Sequence, residues 1–234
     1  MASQAVEAVR ADFIDRLPPA AARRLLETAQ SVSYPAGAAL ITPGAPARPG
    51  ILTAGRLRGY LQERDGRQVT LGYREVGQAF GLTRCFVPDF PVLIGALTPV
   101  TVTHFAPQVL LHLMREDAAV AIAVAEFLAD RVDAECRNAR ALAFGNARRR
   151  IADHLLQLGQ RDQQGRLVAR VTHQQLADAA GTVREHAARL LNEMRRQGLL
   201  STRRGSIIVE DERELRRLST SNVTQVTLQR DKRY

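Results

Sequence analysis

Three charged residues in the C-terminal third of the chain, Arg184, Glu185 and Arg189, surround the small residue Ala188. In a helix they would share one face, because positions three and four apart lie side by side. An arginine can donate two hydrogen bonds to the O6 and N7 atoms of guanine, and a carboxylate can accept one from the amine of cytosine. The spacing therefore predicts a helix face that can read base edges in a DNA groove.

The surrounding segment, "THQQLADAAGTVREHAARLLNEMR", contains the elements that would position this face. Its Thr-x-x-Gln at 172–175 and Thr-x-x-Glu at 182–185 both fit the capping box, in which two side chains close a helix N-terminus. They predict helices over 173–180 and 183–197, with Gly181 in the reversal between them. Small apolar inner faces would let these helices cross closely. The inner residues are Leu176, Ala177, Ala180, Ala187, Leu190, Leu191 and Met194.

A basic hairpin is predicted after the second helix. "LLST" and "SIIVED" are short β-prone runs, and the turn between them contains two arginines and Gly205. Before the capped helices come a predicted helix, "ARRRIADHLLQLGQRD", and a short strand, "RLVARV". This order predicts a winged helix-turn-helix, with side chains at the helix starts and the wing turn holding the DNA backbone. Those positioning residues are Thr172, His173, Thr182, His186, Arg203 and Arg204.

The positive charge of the chain is concentrated in its C-terminal part. Residues 1–144 contain 15 Arg and Lys against 14 Asp and Glu, a net of +1, whereas residues 145–234 contain 18 against 10, a net of +8. Such an excess favours double-stranded DNA as a partner. No apolar run approaches the roughly 20 residues of a membrane span, and the first residues do not resemble a signal peptide. We therefore expect a cytoplasmic protein without a membrane partner.

The sequence offers little for catalysis or metal binding. The two cysteines, Cys85 and Cys136, lack the close spacing of a metal site. The serines and tyrosines of the N-terminal half stand in no nucleophile or carboxylate cluster of the kind an active site needs. We therefore expect no enzymatic activity and no metal.

Residues 33–103 are predicted to form short antiparallel strands. Glycines at 44, 55, 66 and 77 fall eleven residues apart, a distance that fits one strand and one tight turn. The clearest hairpin turn is "ERDGRQ", around the third of them. A solenoid also has a fixed period, but the sequence between these glycines does not repeat. The pattern favours a β roll or sandwich, preceded by helices over 5–17 and 20–30.

A helix of about 27 residues is predicted over 117–143, where no glycine or proline interrupts the chain. Its apolar residues are spaced three and four positions apart and form a stripe along the helix. The stripe could pack on its own domain or form the seam of a two-helix dimer, and we favour the seam. The seam residues are Val120, Val124, Phe127, Leu128, Val132, Ala139 and Leu142. Phe144-Gly145-Asn146 is expected to end the helix and to act as a hinge.

The order of a glycine-punctuated roll, a long helix and a winged helix-turn-helix resembles the bacterial Crp/Fnr family of transcription regulators over residues 20–218. In the roll the resemblance rests on "YPAGAALITPG", "ILTAGRLRGYLQERDGRQVTLGY" and "VGQAFG". In the C-terminal part it rests on "ALAFGNARRRIADHLLQL" and "VTHQQLADAAGTVREHAARLLNEMRRQGLL". It implies a homodimer on palindromic DNA, in which Arg184, Glu185 and Arg189 read a TGTGA-type half-site, and RNA polymerase as a further partner.

The resemblance also implies the fold class and the division of the chain. We expect an α+β fold, in which an N-terminal antiparallel β roll of the cyclic-nucleotide-binding jelly-roll kind is followed by a long dimerisation helix and a C-terminal winged helix-turn-helix. The expected divisions are a sensor roll at 1–116, the dimerisation helix and hinge at 117–144, the DNA-binding domain at 145–218 and a tail at 219–234.

The family's effector pocket is altered in this chain. Members that bind cyclic AMP have a glutamate for the ribose where this chain has Leu82, and an arginine-serine pair for the cyclic phosphate where it has Phe90-Pro91. A phosphate buried without an arginine is strongly disfavoured. We therefore expect no response to cyclic AMP, with Arg84 as an alternative source of charge. The expected pocket residues are Leu82, Thr83, Arg84, Phe90 and Cys136.

Two alternatives stay open at this point. The first is a haem- or redox-dependent sensor of the same family, although the sequence lacks the cysteine cluster of iron–sulfur members and the ligand pair of haem members. The second is a ligand-binding roll with a non-functional DNA-binding domain. The DNA-binding part of the chain also departs from the family pattern, because it has Val183 where many relatives have a serine that contacts phosphate. We expect this difference to affect the affinity for DNA. We expect no cofactor, and the sequence does not support haem.

Overall fold

The computed structural model describes residues 11–203 and 205–220. They belong to two compact units, Met1–Ala139 and Arg140–Tyr234. Both units combine helices with antiparallel sheets, so the predicted α+β class is confirmed.

Two four-stranded antiparallel sheets form the roll of the first unit. Their orders are β1-β8-β3-β6 and β2-β7-β4-β5. The strands are β1 Gln30–Tyr34, β2 Ala39–Ile41, β3 Gly50–Ala54, β4 Leu57–Gln62, β5 Gln68–Arg74, β6 Ala79–Phe80, β7 Leu93–Ala96 and β8 Val100–His104. Apolar side chains from both sheets form a common core, in which Leu52, Leu57 and Val102 are fully buried. Burial of these alternating residues fixes the register of the strands.

The turns of the roll fall where the glycine spacing predicts them. Gly44, Gly55, Gly66 and Gly77 all have positive φ, between 69° and 89°. Each lies between two consecutive strands, and the predicted "ERDGRQ" hairpin joins β4 to β5. The eleven-residue period is therefore that of a strand and its turn.

Helices cover one side of the roll. These are α1 Pro19–Glu27, α2 Pro107–Glu116 and the first part of the long helix α3 Ala118–Phe144. They share a second core, in which the ring of Phe13 lies 5.2 Å from that of Phe127 and 6.0 Å from that of Phe105. The 27 residues of α3 confirm the predicted long helix and its end at Phe144. At 1.5 Å per residue it is about 40 Å long.

The second unit has the winged helix-turn-helix order. Its elements are α4 Ala147–Leu158, β9 Gln160–Arg161, β10 Leu167–Ala169, α5 His173–Ala179, α6 Arg184–Arg196, β11 Leu200–Arg203, β12 Ser206–Val209 and α7 Glu212–Thr220. The strands form one antiparallel sheet in the order β11-β12-β10-β9. The helices pack on it through Ile151, Leu155, Leu176 and Leu191, all fully buried.

Two predicted helices differ from the observed ones. In the described part of 5–17, a short 3-10 turn at Ile14–Arg16 replaces the expected helix, and residues 1–10 lie outside the described residues. Leu17 is extended because it precedes Pro18, which disfavours the helical region for its neighbour. The helix expected to reach residue 162 ends at Leu158, because the backbone is extended at Gly159 and the next two residues pair with β10 as β9.

The last helix, α7, is missing from the sequence prediction. Asp211 precedes it, and its carboxylate accepts a 2.9 Å hydrogen bond from the backbone N–H of Glu214. Acidic residues in the first turn and arginines later in the helix would have indicated it. The expected tail at 219–234 lies outside the described residues from 221 onward.

Candidate nucleic-acid interface and ligand cavity

The first capping box has the predicted geometry. The Thr172 hydroxyl accepts a 3.1 Å hydrogen bond from the backbone N–H of Gln175, and the Gln175 side-chain oxygen accepts a 2.8 Å bond from the N–H of Thr172. Both donors would otherwise be unsatisfied at the start of α5. This reciprocal pair therefore fixes the residue at which the helix begins.

The turn between α5 and α6 is short because small residues line it. Gly181 has a φ of 57°, in the left-handed region that favours glycine. The backbone N–H of Thr182 then donates to the carbonyl of Ala177 at 2.9 Å, which reverses the chain. Ala177 and Ala187 are fully buried, and with no larger side chain at either position the two helices pack closely. The predicted helix-turn-helix is confirmed.

The second capping box is not formed. Helix α6 begins at Arg184 with Val183 as its N-cap, one residue later than the sequence predicts, and no side chain caps it. The Thr182 hydroxyl instead lies 3.0 Å from Nδ1 of His186. With its N–H bonded to the Ala177 carbonyl and its hydroxyl beside His186, Thr182 makes neither of the two bonds of the capping box.

The outer face of α6 presents two arginines and a glutamate. Arg184, Glu185 and Arg189 are exposed, while Ala188 between them is half-buried. Among the residues that the structure describes, none forms a hydrogen bond or ion pair with these three side chains. Two guanidinium groups and a carboxylate are thus held on one rigid helix and stay available to an external partner.

The predicted positioning residues that the structure describes belong to the same unit and are at least partly accessible. Thr172 and Arg203 are exposed, and His173, Thr182 and His186 are half-buried. Arg204 lies outside the described residues. The wing itself is present, because β11 and β12 pair in antiparallel register with Arg203 opposite Ser206.

One basic residue of this surface, Arg170, is missing from the sequence prediction. It is exposed and lines a shallow cleft of about 190 Å³ together with Arg161 and Arg203. It directly follows β10 and lies two residues before the Thr172 cap. A basic residue so close to a predicted helix start could have indicated a DNA-facing position in the sequence.

The long helix has two apolar faces, and the predicted seam lies largely on the wrong one. Val120, Val124 and Phe127 are at most 4% exposed and pack in the core of their own unit, with Leu128 against it. They cannot also form a dimer seam, so the expectation for these residues is wrong. Val132 is 62% exposed, and the side chain of Leu142 lies outside the described residues.

A different stripe of α3 is exposed and apolar. Its members alternate four and three residues apart, which is the heptad spacing of a two-stranded coiled coil. They are Ala118, Ile122, Ala125, Ala129, Val132, Cys136 and Ala139, all exposed. The spacing alone does not distinguish this stripe from the neighbouring one, because it is the same in both.

A cavity of about 550 Å³ lies in the first unit. The five predicted pocket residues all line it, four from the segment 82–90 and one from α3: Leu82, Thr83, Arg84, Phe90 and Cys136. Further apolar walls come from Phe80 and Ile94 on the roll and Phe127 on α3. Its size is within the range of about 300–1,000 Å³ typical of small-molecule sites.

Arg84 is built into the wall of this cavity. Its Nη1 donates to the carbonyls of Thr42 and Ala45 at 2.9 and 3.1 Å, and its Nη2 donates to the carbonyl of Phe90 at 2.9 Å. Both terminal nitrogens are engaged, so Arg84 anchors the wall and offers a ligand little of its charge. The role of substitute charge that the sequence suggests for it is therefore not supported by the geometry.

The cysteines and histidines of the first unit show no metal-binding arrangement. Within 11–203 and 205–220, no group of three or more His, Cys, Asp or Glu could hold a metal ion. His104 is buried between Tyr34 and the carbonyl of Pro49, and His112 pairs with Glu116 on the surface. Burial raises the pKa of the Cys85 thiol to about 11.

The roll and the exposed face of α6 together define a class of protein, a DNA-binding regulator that carries a cyclic-nucleotide-binding-like roll. A family model described as Crp-like helix-turn-helix domain matches residues 149–218. The transcriptional regulator LdrP of Thermus thermophilus is 31% identical over 143 residues, 59% of this chain and 70% of LdrP. The chain belongs to the Crp/Fnr family of transcription regulators.

Two further likenesses extend over most of the chain. The transcriptional regulator SdrP of Thermus thermophilus is 25% identical over 204 residues, 84% of this chain and 98% of SdrP. The crystal structure of TTHA1359, a Crp/Fnr-family regulator of the same organism, is 26% identical and covers 82% of this chain and 99% of its own, with a TM-score of 0.71. In the part of the chain that the structure describes, a helix with the length and apolar character of a membrane span is not found.

Proposed function

We propose that this chain is a homodimeric, sequence-specific regulator that binds palindromic TGTGA-like sites through α6. The observation that carries the proposal is the exposed, unbonded trio of Arg184, Glu185 and Arg189. In the major groove the two arginines donate forked hydrogen bonds to guanine, and the glutamate accepts from a cytosine amine. Each good bidentate contact discriminates against the wrong base by about 1–3 kcal/mol.

Backbone contacts set the register of this helix on DNA. Thr172, Arg203 and the newly identified Arg170 are exposed on the same unit and suit phosphate oxygens. His173, Thr182, His186 and Arg204 complete the proposed set of positioning residues. The uncapped N-terminus of α6 adds backbone N–H groups and a positive dipole end, which favour a phosphate.

The exposed stripe of α3 supports a second copy of this chain as the dimer partner. Its a and d positions are alanines, Ile122, Val132 and Cys136, and small residues allow two helices to approach closely. Glu135 and Arg140 fall at the g and e positions five residues apart, which is the spacing at which parallel coils place opposite charges. A dimer would place two α6 helices in successive major grooves, about 34 Å apart.

The cavity argues against cyclic AMP as the effector. Leu82 is fully buried in its wall where a ribose acceptor would be needed, and Phe90 takes the place of the phosphate-binding arginine. Ribose hydroxyls and the cyclic phosphate would lose water without gaining partners there. A regulator of this kind acts at promoters with or against RNA polymerase, which we propose as its further protein partner.

The test is binding to three labelled duplexes of equal length. They carry two TGTGA half-sites as a palindrome one helical turn apart, one half-site, or a scrambled sequence. We expect the palindrome to bind one dimer at least about tenfold more tightly than the single half-site, and the scrambled duplex most weakly. Equal affinity for the palindrome and the scrambled duplex at physiological salt would overturn the proposal. Cyclic AMP should leave all three affinities unchanged.

A further inference from the structure

The cavity of the first unit contains buried positive charge with incomplete hydrogen bonding. Arg74, Arg84 and Arg131 all line it, and in each the Nε–H is buried without a hydrogen-bond partner among the described residues. An unpaired buried donor is costly, and native structures contain few of them. The charge of these three arginines distinguishes this part of the wall from the apolar remainder of the cavity.

Two of these arginines lie close enough to affect each other. Burial and the neighbouring Arg131 guanidinium lower the pKa of Arg74 to about 10, so Arg74 remains charged at neutral pH. Arg74 donates through Nη1 to the carbonyl of Tyr73 at 2.8 Å. Like charges held together in a buried place are stabilised by an anion between them.

Nearby carboxylates balance this charge only in part. The Glu135 carboxylate lies 4.0 Å from Nη2 of Arg74. Asp12 also faces Arg74 and Arg131, but it accepts a 3.0 Å hydrogen bond from the N–H of Ala79, and burial raises its pKa. Asp12 also interacts with Arg16, so these two carboxylates do not fully offset the charges of Arg74 and Arg131.

The rest of the wall is apolar. Ile41, Phe80, Leu82, Phe90 and Ile94 come from the roll, and Phe127 comes from α3. Thr83 and Cys136 are the polar uncharged side chains among the described lining residues. This wall would bury a hydrocarbon or aromatic body favourably and offers few partners for the hydroxyl groups of a sugar.

We propose that the cavity binds a small organic acid, with one anionic group between Arg74 and Arg131 and an apolar body against Leu82, Phe90 and Phe127. Such a ligand would be the effector of the regulator, and this consequence rests on the proposed function. Arg131, Val132 and Cys136 line the cavity from α3, and the last two also belong to the exposed stripe. A ligand there would therefore touch the residues that we assign to the dimer seam.

A matched pair of fluorescent probes tests the proposal on the full chain. The probe 8-anilinonaphthalene-1-sulfonate has an aromatic body and one anionic group, and N-phenyl-1-naphthylamine has the same body without the charge. We expect Arg131→Gln to weaken binding of the sulfonate at least tenfold and to change binding of the neutral probe less than twofold. Arg24→Gln, which removes an exposed arginine from α1 of the same unit, should change neither.

The position of the probe can be measured because the chain contains no tryptophan. A Phe90→Trp variant has a single tryptophan in the cavity wall, and we expect its emission to be transferred to the bound sulfonate. Decanoate should displace the sulfonate, whereas decanamide and cyclic AMP should not. If Arg131→Gln also loses the neutral probe through unfolding, Arg74→Gln takes its place in the comparison.

The proposal fails if Arg131→Gln and Arg24→Gln affect the sulfonate equally, or if no energy transfer is seen. DNA binding, measured on the same samples, separates this outcome from a failure of the proposed function. If the arginine variants did not distinguish the two probes but the protein still bound the palindrome, only the ligand proposal would be overturned. Selective probe binding without any DNA recognition would overturn the regulator function and leave the cavity assignment standing.

Discussion

The hydroxyl of Thr182 lies 3.0 Å from Nδ1 of His186 across the first turn of α6. This contact holds the hydroxyl away from the backbone of the helix, and the following residue, Val183, becomes the N-cap without a capping side chain. Val183 is 63% exposed. The first N–H groups of α6 are therefore left for an external acceptor, at the end of the helix that we propose to face DNA.

Replacing Val183, the N-cap residue of α6, by serine should stabilise the second unit. We expect Val183→Ser to raise the free energy of unfolding of the second unit by about 0.5–2 kcal/mol relative to Val183→Ala, because a serine at the N-cap satisfies an N–H of the first turn. Urea denaturation followed by circular dichroism measures the difference. Equal stability of the two variants would show that the helix N-terminus is already satisfied.

Two arginines of the second unit should affect DNA binding in different ways. Arg184→Gln should cost about 1–3 kcal/mol on the matched site and little on a site whose corresponding guanine is already changed. Arg203→Gln should weaken binding to all sequences alike and lower the salt slope by about one, since it removes the phosphate contact that we propose for Arg203. Gel shifts over a panel of single-base variants at several salt concentrations measure both effects.

Arg24→Gln is the control for this pair, because it removes one exposed charge from the other unit. The Arg24→Gln variant should bind every DNA site with an affinity close to that of the parent protein. If Arg184→Gln and Arg203→Gln produced the same loss on every site, Arg184 would not read a base.

Local sequence signals explain which parts of the fold could be predicted. The eleven-residue glycine spacing located the turns, and the Thr172 capping box located the start of α5, because each depends on residues close in sequence. The start of α6 was misplaced by one residue because the two groups of Thr182 have partners other than those of a capping box, the Ala177 carbonyl for its N–H and His186 for its hydroxyl.

Tertiary packing explains what the sequence could not reveal. The two apolar stripes of α3 have the same spacing, and only the position of Phe13 and the other core residues shows which stripe is buried. Arg74 and Arg131 lie 57 positions apart, on a strand and on a helix, so no local pattern indicated that both would line one cavity.

Two of the spaced glycines should differ in their tolerance of a side chain. Gly66 has a φ of 86° with open space around it, whereas a Cβ at Gly55 would lie 2.2 Å from the carbonyl oxygen of Pro99. We expect Gly66→Ala to lower the free energy of unfolding by about 1–2 kcal/mol, which is the cost of a left-handed alanine. Gly55→Ala should cost at least about 3 kcal/mol because a backbone clash is added. Urea denaturation compares them, and equal losses would contradict the steric argument.

A charge on the exposed stripe of α3 should break the homodimer that we propose. Ile122 is 59% exposed in the single chain and does not line the cavity. Ile122→Glu would bury two carboxylates against each other in a dimer, so we expect the dissociation constant to rise at least about 100-fold. Analytical ultracentrifugation measures it. Val76→Glu, at a 46% exposed valine of the roll, is the matched control and should leave the dimer intact.

The native cysteines offer a direct test of which stripe of α3 forms the seam. Cys136 occupies an a position of the exposed stripe, where a parallel two-stranded coil brings the two equivalent residues face to face. Both thiols are free in the structure, and Cys136 is exposed. Mild oxidation at pH 8 should therefore link two chains through Cys136, with a band of doubled mass on a non-reducing gel.

Cys85 provides the internal control for this experiment. Its pKa is raised to about 11 by burial, so at pH 8 it is almost entirely the neutral thiol, and its reactive thiolate becomes abundant only as the pH approaches 11. We expect Cys85→Ser to cross-link as well as the parent and Cys136→Ser not to cross-link. A covalent dimer that persisted in Cys136→Ser, or rapid alkylation of Cys85 at pH 8, would contradict the assignment. The yield of cross-linked Ile122→Glu should fall in proportion to its loss of dimer. Such a fall would show that the disulfide forms within the dimer and not by random collision of monomers.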